Sequence, residues 1–142
     1  MSNVMSPQDA LIATMILMSA ADRNMSDSEL KEIGAIVELL PAFENYDNTR
    51  ITVVSETVVD LLEQEEGLDT LLGMIAGAIP MGEGLNETAY ALACDVAAAD
   101  GAIKQEEIRL LEIIRHRLQV GRLSAAAIER AARARHLRIS AE

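Results

Sequence analysis

Cysteine occurs once, at Cys94, so no intramolecular disulfide can staple the chain and a reducing, cytoplasmic compartment is expected. Tryptophan is absent, and the only aromatic residues are Phe43, Tyr46 and Tyr90. The core must therefore be aliphatic, and a surface that stacks nucleic-acid bases is excluded. Basic residues are scarce: 12 against 23 acidic ones, a net charge of −11. Such a chain repels phosphate backbones, so no nucleic-acid partner is expected, and its small partners should be cations. Residues Met1 to Asp9 lack the basic run and apolar stretch of a leader, and none is expected. Long apolar runs are missing too. Leu68 to Met81 contains Asp69, Gly73, Gly77 and Pro80, and is too short to span a bilayer.

What remains is a 142-residue chain that is 50% apolar, enough for one domain with a real core. Punctuation predicts about seven helices. The first runs from Pro7 to Ala21, with Ser6 as N-cap and Leu11, Ile12, Met15, Ile16 and Ser19 on one face. The second opens at Ser26, with Glu29 completing a capping box, and ends before Pro41. A loop follows. The third carries Ile51, Val54, Val58 and Leu61 and is stopped by Gly67. The fourth spans Leu68 to Ile79, with Gly73 and Gly77 admitting a close backbone. The fifth runs from Asn86 to Ala99, the sixth from Lys104 to Leu118, and the seventh from Ser124 to Arg138. No segment sustains strand-like alternation; Ile51-Thr-Val-Val keeps helical spacing for three turns. The expected fold is all-α: a single compact bundle of about seven helices, one domain over residues 1–142 with its core at about 8–138.

The most informative pattern is an internal repeat. Shifted by 78 positions, Ala13 to Ile33 falls on Ala91 to Leu111. Both copies read Ala-Ala-Asp-x-x-apolar-x-x-x-Glu-apolar, with Asp22 on Asp100 and Glu29 on Glu107. Each copy is a helical hairpin, and two such hairpins are expected to pack with pseudo-twofold symmetry. Their elbows would gather Asp22, Glu29, Asp100 and Glu107. Crowded carboxylates repel by about 1 kcal/mol per pair at 4 Å in water, and about 4 at an effective dielectric of 20. A hard cation removes that repulsion. Four carboxylates suit Ca²⁺ best, with Mg²⁺ or Mn²⁺ as alternatives. The spacing is not an EF-hand: Asp27 falls where that loop wants Gly, and Ile33 where it wants Glu. The same four residues also read as helix caps and turn residues that need no ligand.

With the alanine-rich helix before it and the amphipathic helix after it, Ala99-Asp100-Gly101-Ala102-Ile103-x-x-x-Glu107 resembles the tellurite-resistance TerB family. Ala21-Asp22-Arg23-Asn24-Met25-Ser26-x-x-Glu29 resembles the family's first hairpin. The resemblance covers about residues 8 to 138. It implies an all-helical domain with an acidic metal-binding centre, carried here by Asp22, Glu29, Asp100 and Glu107. Arg23-Asn24 stands where the second copy has Gly101-Ala102, so the two half-sites are unequal.

The remaining candidates carry less. Charge is divided: residues 1–108 hold 20 acidic and 4 basic side chains, and residues 109–142 hold 3 and 8. Arg115, Arg117, Arg122, Arg130, Arg133, Arg135 and Arg138 form either a docking surface for an acidic partner or anionic membrane, or a face laid on the domain's own acidic body; the second is preferred. His116 and His136 read as surface residues and Cys94 as a small buried one. The scattered methionines read as core filling. Asp95 and Glu106 read as groups behind the ligands or as exposed helix positions. No nucleophile motif or phosphate loop is present. The expected function is a non-enzymatic cytoplasmic metal-binding and interaction module of a tellurite or chemical stress response, its partner a protein, with a membrane-associated complex as one setting. The alternatives are a constitutive interaction domain whose acids are caps, and a metal-dependent hydrolase.

Overall fold

The structure, a computed structural model, describes residues 5–21, 27–80, 82–99 and 103–139, with residues 27–30 described by their backbone alone. Among these residues the chain forms seven α-helices and no strand: α1 (Pro7–Ala20), α2 (Asp27–Leu39), α3 (Arg50–Leu62), α4 (Gly67–Ala78), α5 (Leu85–Ala98), α6 (Gln105–Arg117) and α7 (Arg122–Arg135).

The entry to α1 follows local chemistry. Ser6 Oγ accepts the Asp9 N–H at 3.0 Å, Asp9 reaches back toward the Ser6 N–H, and Pro7 occupies the first turn, where its missing donor costs nothing. Beyond the cap, the single apolar face expected of α1 is an underestimate. Every residue from Asp9 to Ser19 is buried, as befits a helix that is apolar all round. α5 is its counterpart, buried from Leu92 through Ala98.

These two central helices pack on each other, with alanines at Ala10, Ala13, Ala89, Ala93 and Ala97 fully buried. α3 and α4 lie on α1, and α7 and α6 lie on α5. α2 also touches α5, and α6 touches α1, so each hairpin's second helix reaches the other hairpin's first. The repeat recurs in the caps. Ala21 and Ala99 share right-handed helical dihedrals, and each donates its N–H to the carbonyl three residues back at 3.2 Å.

The largely aliphatic core matches expectation, with Leu11, Ile12, Met15, Met18, Leu71, Ile75 and Ile114 among its largest members and Tyr90 and Phe43 its two buried aromatics. Met25 and Met81 lie outside the described residues.

Several punctuation readings shift. Pro41–Phe43 forms a turn of 3₁₀ helix inside the expected loop, held to α1 by the Gln8 amide donating to the carbonyls of Ala42 and Glu44. Gly67 does not stop α3; it opens α4. The left-handed residue is Glu66, at φ 61°, and a Cβ on Gly67 would fall 1.6 Å from the Leu61 carbonyl oxygen. Gly73 and Gly77 admit no backbone. A Cβ added at Gly73 would lie 3.6 Å from the Arg117 guanidinium, and nothing lies within 4 Å of one at Gly77. No helix among the described residues is long and apolar enough to cross a membrane.

Candidate functional site

Each elbow joins a central helix to an outer one. At the second elbow, α5 ends at Ala98 and α6 begins at Gln105. Glu107 is the third residue of α6, and its side chain is only 1% exposed. Its Oε1 accepts the main-chain N–H of Lys104 at 2.9 Å, so this carboxylate does perform the capping work that an acid in a first helical turn can do. Asp22 and Asp100 lie outside the described residues, as does the side chain of Glu29. Among the described residues no three His, Cys, Asp or Glu side chains form a group able to hold a metal ion. Ser26, the expected cap of α2, also lies outside them.

Close to the elbows the structure brings together groups that local sequence does not connect. Asp95, on the last turns of α5, is 8% exposed. Arg135 Nη2 donates to its Oδ1 at 2.6 Å, and His136 Nε2 lies 3.3 Å from the same oxygen. The same imidazole nitrogen is 3.6 Å from Glu32 Oε2 on α2. Arg138 donates to the Ala99 carbonyl at 3.3 Å. Thus α2 of the first copy and α5 of the second meet at one histidine. Asp95 is neither an exposed helix position nor free of partners, and His136 is half-buried rather than a surface residue. Arg117 pairs with Asp69 at 2.7 Å. The preferred reading of the arginines as partners of the domain's own acids therefore holds for Arg117 and Arg135.

Away from the elbows, Asp9 collects Tyr46 Oη at 2.9 Å and Arg50 Nη2 at 2.7 Å. Burial pushes its pKa up, but the Arg50 and Tyr46 hydrogen bonds, the Ser6 N–H and the Arg50 charge outweigh burial and hold it below the ordinary carboxylate range. On the other side of the bundle the Tyr90 hydroxyl donates to Glu129 Oε2. Burial first, and then the hydrogen bond to Glu129, raises the Tyr90 pKa. Beside it, burial and the Glu129 charge push the Cys94 thiol up to about 12. This is the chemistry of a packed, unreactive thiol. Ser19 Oγ, fully buried on α1, has no hydrogen-bond partner among the described residues.

The fold and the elbows define a class: an all-α domain built on a duplicated helical hairpin, with an aspartate and a glutamate in each copy. The family model described as "Tellurite resistance protein TerB" matches residues 8–130, and the chain belongs to that family. No curated protein and no solved structure matches the chain.

Proposed function

We propose that this chain is a non-enzymatic, cytoplasmic metal-binding and interaction module of a tellurite or chemical stress response. Asp22, Glu29, Asp100 and Glu107 would hold a divalent cation, Ca²⁺ first, with Mg²⁺ or Mn²⁺ as alternatives. The donor set is all hard oxygen, which fits such ions. When bound, the cation supplies charge neutralisation at the elbows. The chain's own residues position the outer helices on the central pair, and a protein partner, in a membrane-associated complex for example, would read the resulting arrangement.

The observation that carries this reading is the recurrence of an aspartate and a glutamate at both elbows of a duplicated hairpin, in a chain of the TerB family. One further observation supports it: the hairpins pack reciprocally.

A second reading rests on the Glu107–Lys104 hydrogen bond: the acids are caps, and the domain binds its partner without metal. Calorimetric titration with Ca²⁺ and Mn²⁺ separates the two, using Asp100→Asn/Glu107→Gln as the comparison. Glutamine keeps an oxygen acceptor for the Lys104 N–H, so the cap survives while the charge is lost. Saturable binding by the wild type, lost in the variant, supports the metal centre. Equal heats from both proteins leave only the caps. A hydrolase would instead show turnover on a phosphate or ester substrate that the same variant abolishes.

A further inference from the structure

α3 and α7 each cover one of the two central helices, and each turns an exposed face outward that no other described helix covers. On α3 and its cap the outward stripe is Thr52, Val53, Glu56, Val59, Asp60 and Glu63, at i, i+1, i+4, i+7, i+8 and i+11; Arg50, also exposed, lies off this stripe and pairs with Asp9. The stripe contains three acids and no base. Val53 and Val59 are 46% and 43% exposed. A shallow depression of about 330 Å³ opens on this face between Ser55, Glu56, Val59 and Asp60. On α7 the outward stripe is Leu123, Ala126, Ala127, Arg130 and Ala134, edged by Arg122 and Arg133. Its central charge is Arg130; the edge that carries Arg122 and Arg133 also carries one acid, Glu129, which is engaged by the Tyr90 hydroxyl, so the face is net basic. Leu123 stands out at 86% exposure. Arg122, Arg130 and Arg133 make no ion pair among the described residues, unlike Arg117 and Arg135, which are held by the domain's own acids.

We propose that the outward face of α7 docks on the outward face of α3 in a second copy of this chain, with Leu123 entering the depression beside Val59 and Arg130 meeting Glu56 and Asp60. The argument is complementarity in both charge and shape. One stripe is acidic with a hollow between its side chains. The other is basic and lined with alanine, so that two helix backbones can approach closely, with one large aliphatic knob. The contact is head-to-tail. Each copy keeps an unused α3 or α7 face, so the assembly grows or closes into a ring. A helix pair about 20 Å long and 10 Å wide gives a small interface, and the association is correspondingly weak and reversible.

Sedimentation velocity tests this on the full chain with a chelator present, from about 10 µM to about 1 mM, a range suited to weak association, and at about 0.15 M salt, where only charges within about 8 Å interact. The wild type is expected to sediment faster as concentration rises. Glu56→Lys/Asp60→Lys and Leu123→Glu/Arg130→Glu are each expected to remain monomeric. An equimolar mixture of the two associates again, because one partner keeps a native α7 and the other a native α3. That recovery also shows both variants to be folded. A wild type that is monomeric throughout overturns the proposal, as does either variant associating as the wild type does, or a mixture that fails to recover. A monomeric wild type whose α7 instead binds phosphatidylglycerol vesicles, with binding lost in Leu123→Glu/Arg130→Glu, also overturns it and assigns that face to an anionic lipid surface.

Discussion

Asp9 does three things with one carboxylate. It completes the cap of α1, accepts the Tyr46 hydroxyl and pairs with Arg50. Asp9→Ala should therefore cost about 2–3 kcal/mol, a lost cap plus an orphaned phenol, read as a lower urea midpoint at unchanged slope. The depressed pKa fixes the sign of a pH effect. The unfolded aspartate takes up its proton near its ordinary value of about 3.9, while the folded one refuses it. The contribution is complete above that value and is lost as pH falls through the folded pKa. Urea unfolding between about pH 6 and pH 2 should show this loss in the wild type, and a flatter dependence in Asp9→Asn. At Cys94, with the thiol at about 12, a disulfide-exchange reagent at neutral pH should leave the native protein unlabelled and react on unfolding. Rapid labelling of native protein would contradict the packed site.

At the level of elements, the helices were readable because several of their ends are written in local chemistry: Ser6-Pro7 at one end of α1 and Pro41 after α2. What was not readable depends on partners distant in sequence. Nothing near Asp95 announces Arg135 and His136, forty residues on, and nothing near Asp9 announces Tyr46. The candidate site divides in the same way. Glu107 could be placed at the opening of α6 from spacing alone, but its burial depends on the neighbouring helices. Glycines mislead most, because sequence shows the missing side chain and not what fills its place. Gly67→Ala should be severely destabilising, by more than about 3 kcal/mol, because the added carbon meets the Leu61 carbonyl oxygen and only a backbone shift can relieve that clash. Gly77→Ala, in open space, should stabilise by about 0.5–1 kcal/mol through helix propensity. Thermal melts of the two variants should move in opposite directions.

For the molecule as a whole, the net charge of −11 sets a test for specific metal binding. Any salt relieves self-repulsion in so acidic a chain, so stabilisation by Ca²⁺ is meaningful only against a monovalent salt of equal ionic strength. An ion that binds the folded form alone contributes RT ln(1 + [L]/Kd), about 2.7 kcal/mol at a hundredfold excess over Kd. In a chain of this length that is a rise of roughly 10 °C in Tm. General screening would raise the wild type and Asp100→Asn/Glu107→Gln alike. A cation held between the elbows would raise the wild type beyond the potassium control and leave the variant at the control value. If calcium and potassium melts coincide in the wild type at matched ionic strength, the acids act only as caps.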